Sequence, residues 1–364
     1  MKKRIIAIHL PQFHPFKEND EWWGKGFTEW RNVVKAKPRF KGHYEPHIPA
    51  DLGFYDLRLP ESRIAQAELA KKYRIDGFCF YHYWFNGHQL MERPVKEIIE
   101  SKEPDFPFML CWANENWARN WDGGFKKILI KQEYSDSDDI NHIKYLCENV
   151  FCDKRYIKVE NKPVFIIYRP EFFPDIAKTI RLWRNIAIKE YDMELYLIFS
   201  ETAFTNNELL LDKGFDAALN FQPTCMNGFE KRKNILSSLC RIVTKGKYQL
   251  FNNTYSYKRY INYRCKLPLP SYKEYPCVCP NFDNSPRRVG KPFWAFKGST
   301  PQLYGKWLRN VLSKFKGFSN DENFIFINAW NEWAEGNHLE PDLKWGTSYL
   351  EETKQAIDEF NNEK

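Results

Sequence analysis

Eight short apolar runs punctuate the 364 residues, at roughly 4–10, 76–85, 107–114, 163–169, 194–201, 216–222, 292–296 and 323–330. Each ends in polar or aromatic residues. Between most of them the apolar positions recur with helical spacing. Leu59-Pro60-Glu61 opens one such segment, with Ile64, Ala67, Leu69 and Ala70. A second runs from Pro174 to Tyr191 with Ile176, Ile180, Leu182 and Ile186, and a third covers Tyr304 to Phe315. Apolar runs without alternation predict strands buried on both faces. Strands alternating with helices predict right-handed βαβ units and a parallel sheet. Eight of them predict an α/β fold, a (β/α)8 TIM-like barrel formed as one catalytic domain over residues 1–364, with long insertions at the C-terminal face of the strands.

In such a barrel the chemistry sits where the strands end, and every run here ends in residues able to bind or react. The first delivers His9, Gln12 and His14; the second Tyr81, His82, Tyr83 and Trp84; the third Trp112, Asn114, Glu115 and Trp117. Tyr168 and Arg169 follow the fourth, Ser200 and Glu201 the fifth, Asn220 and Gln222 the sixth, and Trp294 the seventh. The eighth is the richest. Phe324-Ile325-Phe326-Ile327 leads through Asn328-Ala329-Trp330 into Asn331, Glu332, Trp333 and Glu335, and Gly336 stops it. Two carboxylates and an amide beside two indoles, at the end of a buried strand, are costly to place without a use. Desolvation moves such carboxylates' pKa values apart, so that the pair divides into acid and base. The plain alternative is a strand end whose glutamates pair with nearby arginines. Trp30, Tyr81, His82, Tyr83, Trp84, Trp112, Asn114, Glu115, Trp117, Trp330 and Asn331 are candidate sugar-binding walls and hydroxyl partners, with packing as the alternative for each.

Composition sharpens this picture in one respect. The chain has 13 Trp, 20 Tyr and 29 Phe, many of the tryptophans beside Asn, Glu, Asp or His. An aromatic face next to a hydrogen-bonding group suits a sugar, whose C–H face stacks while its hydroxyls are bonded at the edge. An apolar fraction of 43% excludes global disorder. Nine cysteines without zinc-type pairs predict free thiols in a reducing compartment. Met1-Lys2-Lys3-Arg4 precedes an apolar run, Ile5 to Leu10, too short for a signal peptide, and no apolar stretch approaches 18 residues. The expectation is a cytoplasmic protein.

Two insertions interrupt the alternation. The loop from Pro11 to Leu59, rich in Trp, Gly and His, is too long for a plain connection. The second, at about 224–291, has ten Lys or Arg and no acidic residue between Lys231 and Lys266, while the whole chain carries a net charge of +8. Such a basic, Tyr-rich stretch suits anionic lipid head groups at the inner membrane (a peripheral contact), a pyrophosphate-linked acceptor or an acidic glycan; a solvated face is the alternative. No recognised motif makes nucleic acid a partner. Phosphate-binding and serine-hydrolase signatures are missing. His43-x-x-x-His47 has metalloprotease spacing without the Glu, and Pro46 argues against a helix there. Asp136-Ser137-Asp138 matches a short metal-holding motif of sugar transferases, but its place after Tyr134 reads better as a helix start. No metal and no cofactor is expected.

Longer motifs carry a family resemblance. His9-Leu10-Pro11-Gln12-Phe13-His14, the stretch from Glu21 to Trp30 (EWWGKGFTEW), Pro49 to Asp56 (PADLGFYD), Phe80 to Phe85 (FYHYWF), Cys111 to Trp117 (CWANENW) and Asn328 to Gly336 (NAWNEWAEG) together resemble the WbsX family of glycosyltransferases. The likeness covers nearly the whole chain, with 225–290 its least diagnostic part. It implies a role in bacterial surface-polysaccharide (O-antigen or capsule) biosynthesis, with a sugar donor and a glycan or lipid-linked acceptor. The family is similar in turn to the endo-α-mannosidase glycoside hydrolases, which are (β/α)8 barrels with a comparable Asn-Glu-x-x-Glu-Gly segment. That similarity implies that Glu332 is the base drawing the proton from a sugar 2-hydroxyl, giving a 1,2-anhydro intermediate with retention. Glu335 would be the general acid. An endo-acting α-glycoside hydrolase or transglycosylase with the same residues is the alternative activity.

Overall fold

The computed structural model describes residues 2–119, 124–201, 210–224, 229, 243, 253–288, 291 and 293–362, with no side-chain account of 119 and 124–127. Its centre is a closed parallel barrel. Strands β1 (Arg4–His9), β2 (Gly77–Phe85), β3 (Phe108–Trp112), β4 (Lys162–Ile167), β5 (Tyr196–Ser200) and β6 (Ala217–Leu219) pair in chain order. β7 comes in two pieces, Glu274–Tyr275 on β6 and Cys277–Val278 on β8 (Phe324–Ile327), and β8 closes on β1. Pro276 lacks an N–H and splits β7, yet its carbonyl still accepts a 2.9 Å bond from the Phe326 amide. The sheet is therefore continuous around the barrel.

Seven of these strands fall where the apolar runs predict them; the seventh does not. The run at 292–296 predicts it, but Trp294–Lys297 pairs with Asn253–Ser256 in a separate two-stranded sheet. The true β7 lies inside the stretch read as a basic insertion. Its signal is weak because it is short, interrupted by Pro276, and flanked by charges. Part of that insertion, including the basic stretch at 230–242 and the residues 244–252, lies outside the described residues.

Helices cover the barrel. Among the described residues they are α1 (Pro60–Lys72), α2 (Arg93–Ser101), α3 (Asp136–Asn149), α4 (Ile176–Tyr191), α5 (Tyr257–Arg264), α6 (Pro301–Lys314) and α7 (Ser348–Asn362), and two short helices, Lys17–Trp23 and Trp30–Lys35, lie in the loop after β1. Local sequence fixes their starts. Ser135 accepts the Asp138 amide at 3.2 Å and Asp175 the Lys178 amide at 3.0 Å, each satisfying an otherwise orphaned donor. The Asp136-Ser137-Asp138 triplet is thus the first turn of α3, as its position predicts. No described helix is long and apolar enough to cross a membrane.

The two-residue period of β2 decides which of its side chains can reach a substrate. Cys79 faces the barrel interior beside Cys111. Phe78, Phe80, His82 and Trp84 point the other way. His82 Nε2 meets His142 Nε2 of α3 at 3.0 Å, and the Trp84 indole stacks on His142 and donates to Asp138 at 2.9 Å. Trp112, register partner of His82, packs between His142 and Trp183. Replacing Trp84 by Phe would take from a buried aspartate its side-chain donor and leave it the backbone of Gly87. The expected cost is about 1–3 kcal/mol, read as a lowered denaturant midpoint, with catalytic constants unchanged because the indole lies on the helix side of the barrel.

Candidate active site

Strand β8 runs out of the barrel into a tight hairpin, Asn331–Glu332 paired antiparallel with Asn337–His338, around the single turn Trp333–Glu335. Gly336 ends that turn at φ +53°, and a Cβ there would lie 3.2 Å from the Cβ of Asp283. Only glycine meets both conditions without strain. Asn331 fixes the hairpin to the barrel. Its Oδ1 accepts the Leu10 amide at 2.7 Å and its Nδ2 donates to the Leu10 carbonyl at 3.0 Å and to Tyr55 Oη at 3.1 Å. The end of β8 is thereby tied to the end of β1.

Glu332 and Glu335 converge on one guanidinium. Arg287, on the single turn Ser285–Arg287, donates from Nη2 to Glu332 at 2.8 Å and from Nη1 to Glu335. Its Nε reaches Glu29 at 3.2 Å, and Glu29 also accepts from Asn32 at 3.1 Å. One cation therefore serves three carboxylates. Burial alone would lower the Arg287 pKa, but the charges of Glu29, Glu335 and Glu332 outweigh it and hold the group charged. Burial pushes Glu332 up to about 8, Arg287 opposing and Glu335 and Glu29 adding to the rise. Glu29 is raised for the same reason, burial first.

Around this group stand phenols. Tyr81 and Tyr83, on the barrel-interior face of β2, rise well above the usual phenol range, from burial and then from the charge of Glu332. Tyr168 at the end of β4 rises from burial and then from Glu115 and Glu335; its ring lies 6.5 Å from Tyr81. Glu115 pairs with Arg169 at 2.8 Å on the rim. Trp117 packs edge-on against Tyr83. Gln12 is buried near the end of β1 with neither amide atom bonded.

The other predicted residues lie elsewhere or are already engaged. His9 bonds Gln66 of α1 at 3.2 Å and packs on Phe78 and Phe80, so it faces the helices, as do His82, Trp84 and Trp112. Trp330 packs on Phe78 in the same layer. Trp30 lies beneath the site, against Phe13, Tyr55 and Trp333. Asn114 uses its whole amide to hold the backbone of Arg169 and the hydroxyl of Tyr134. Glu201 accepts from Tyr272 at 2.6 Å and is pushed up to about 9 by burial and by Glu274. Gln222 is bonded to Asn220 and Tyr260, and Trp294 packs among Tyr255, Phe282 and Phe296.

Sequence reasoning missed Arg287 and Glu29 as members of the group, together with Tyr55 and Glu340 beneath it. Glu340 is buried and accepts from Trp333 at 2.6 Å, Gln66 at 2.7 Å and Tyr55 at 2.8 Å. Burial pushes its carboxyl up to about 7 against these donors. Both glutamates pair with an arginine, as the plain alternative reading of the strand end has it, and with the same one.

A closed (β/α)8 barrel with this acidic hairpin after β8 has the glycoside-hydrolase-like fold. The endo-α-mannosidase of glycoside hydrolase family 99 from Bacteroides thetaiotaomicron, solved in complex with Bis-Tris propane, superposes with a TM-score of 0.61 at 14% identity, over 99% of this chain and 98% of that one. A structure described as a glycoside hydrolase-like protein gives 0.59 at 14% identity, over 98% and 94%. The family model described as "Glycosyltransferase WbsX" matches residues 5–353, and the chain belongs to this carbohydrate-active enzyme family. "Uncharacterized protein WxcX" of Xanthomonas campestris pv. campestris, strain B100, is 39% identical over 354 residues. That alignment covers 97% of this chain, which spans about half the length (49%) of that relative.

Arg287→Gln would leave three carboxylates, Glu29 and Glu332 among them fully buried, without their cation. Breaking a buried pair in this way costs about 3–5 kcal/mol. The sign with pH follows from Glu332, whose pKa is raised on folding to about 8: the deficit is expected to be larger near pH 8, where it ionises, than at pH 5, where it holds its proton. Denaturation of both proteins at the two pH values measures it; an equal deficit at both would separate Arg287 from the carboxylates' charge.

Proposed function

We propose that the chain is the catalytic part of a retaining glycosyltransferase of bacterial surface-polysaccharide assembly, with Glu332 and Glu335 as its acid–base pair. The observation that carries this reading is the convergence of both carboxylates on Arg287 at the C-terminal mouth of the barrel. The family's description supports transfer. Glu332 takes the proton of the donor's 2-hydroxyl as its oxygen attacks C1, and Glu335 gives its proton to the departing oxygen. The resulting 1,2-anhydro sugar is opened by an acceptor hydroxyl, whose proton goes to Glu335, and the 2-oxygen recovers its proton from Glu332. A sugar hydroxyl is a very weak acid, so a base gains from a pKa raised towards 8. Tyr81, Tyr83 and Tyr168 are the proposed aromatic and hydroxyl contacts, Gln12 and Glu115 the proposed polar ones. Likeness of fold to the endo-α-mannosidase supports a second reading, an endo-acting α-glycoside hydrolase or transglycosylase using the same pair.

Mass-spectrometric product analysis separates the two. Wild type and Glu335→Gln are incubated with α-linked oligosaccharides, with and without nucleotide sugars and a lipid-linked acceptor. Mass gain that requires a nucleotide sugar is expected, reduced about 10²-fold or more in the variant. Shortening of the oligosaccharide without a donor would make the protein a hydrolase, and turnover unaffected by the substitution would sink both readings.

The pH profile assigns the roles. If Glu332 must be ionised to act, the limb of kcat/KM that titrates near pH 8 rises with pH, and ionisation of Glu335, which must hold its proton, gives the opposing limb. A fall through the same region would make Glu332 the acid and exchange the two roles.

A further inference from the structure

Behind the acidic hairpin, three buried side chains aim donor atoms at one point. His47, from the long loop after β1, brings Nδ1 within 2.8 Å of His338 Nε2, and Asp342 Oδ2 lies 3.9 Å from the first and 3.8 Å from the second. A triangle with those sides has a circumradius of about 2.1 Å, the usual distance from Zn²⁺ to imidazole nitrogen and carboxylate oxygen. All three residues are more than nine-tenths buried, at 5%, 5% and 2% exposure.

The surroundings fix two of the donors, while His47 Nδ1 carries the hydrogen of its 2.8 Å bond to His338 Nε2 and would offer a lone pair to a cation as the other tautomer. His338 Nδ1 lies 2.8 Å from the Glu340 carbonyl, to which only an N–H can bond, so Nε2 is left with a bare lone pair. Asp342 Oδ1 accepts the amides of Lys344 at 2.9 Å and Trp345 at 2.6 Å, which aims Oδ2 at the imidazoles. A cavity of about 90 Å³ adjoins the cluster and has room for a water on an open position. A second cluster across Gly336, His43 with Glu45 and Asp283, contrasts with it. His43 Nδ1 accepts the Arg39 amide at 2.9 Å, so Nε2 carries the hydrogen and donates to Asp283 instead of offering a lone pair. The His43-x-x-x-His47 spacing thus divides between two clusters, one of them fitted to a cation.

We propose that His47, His338 and Asp342 bind a first-row divalent cation, Zn²⁺ by its donor set, which pins the acidic hairpin to the loop after β1. This goes beyond the sugar-transfer reading and does not depend on it. It replaces the expectation, drawn from the sequence, of a chain without metal. His338 is the register partner of Asn331, next to Glu332, and its ring stacks on Trp333 at 3.8 Å. A cation here is a positioning device for the carboxylate pair.

The test is metal content and stability of the purified chain, stripped with a chelator, desalted and titrated with Zn²⁺, Mn²⁺ or Co²⁺. One equivalent of Zn²⁺ is expected to stay bound through desalting and to raise the melting temperature, and Co²⁺ to give visible bands of imidazole–carboxylate coordination. His47→Gln and Asp342→Asn are each expected to weaken Zn²⁺ binding at least tenfold, while His43→Gln leaves it intact. The proposal is overturned if wild type binds none of the three ions stoichiometrically, or if binding survives His47→Gln. Loss in His43→Gln alone would overturn it too, by assigning the ion to the second cluster. Asp342 also caps its loop, so if Asp342→Asn folds poorly, the comparison of wild type with His47→Gln decides.

Discussion

One guanidinium shared by three carboxylates is the interaction on which the mouth of this barrel depends. Glu29 comes from the loop after β1, Arg287 from the segment after β7, and Glu332 and Glu335 from the hairpin after β8. Arg287 is thus the point where three connections meet, and its planar fork of donors suits the task better than a lysine would. Three carboxylates against one cation would leave an excess negative charge in a desolvated place. The excess is relieved by raising the proton affinity of Glu332 and Glu29. The pair is therefore chemically unequal before any substrate arrives.

Beneath that charged group lies a neutralising layer of hydrogen bonds. Asn331 grips Leu10 through both its amide and its carbonyl and bonds Tyr55, Tyr55 bonds Glu340, and Glu340 receives Trp333 and Gln66. Each acceptor in this series of bonds finds a donor, which is the condition for polar groups at such depth to be tolerated. The series runs from β1 through α1 to the hairpin, so the backbone that presents Glu332 is held by the barrel itself. A site supported this way keeps its geometry when loops above it move.

Much of the fold was legible because barrel strands, buried on both faces, appear as unbroken apolar runs. Seven of eight were found on that signal. The seventh escaped because Glu274–Tyr275 and Cys277–Val278 are two-residue pieces around Pro276, while the aromatic run ending at Trp294 and Phe296 imitates a strand of the barrel and belongs to a side sheet. Of the candidate site, Glu332 and Glu335 and, from β2, Tyr81 and Tyr83 were legible as residues that come together at the barrel mouth. Its outer neighbours were misleading for a physical reason. His82, Trp84 and Trp112 alternate with inward residues and face α3 and α4, and a strand buried on both sides carries no polar face to say which is which. Arg287 was hidden for a different reason: it lies at the end of a basic stretch, where one more arginine looks like surface charge, and only the closure of β7 brings it inward.

That concealment bears on how the carboxylates divide their work. A glutamate beside arginine in water would simply be ionised, and two equal ones could not share acid and base roles. Here Glu332 lies deeper, at 8% side-chain exposure against 23% for Glu335, while both bond the same cation. Depth, rather than partner, sets them apart: the same arginine opposes the rise of Glu332 but does not cancel the cost of its burial. In the proposed reaction, attack by a sugar hydroxyl would demand a strong base that is not permanently protonated, and burial tempered by one shared cation gives a carboxylate between those limits. Loosening Arg287, or the loop that carries it, shifts that balance towards the protonated form of Glu332.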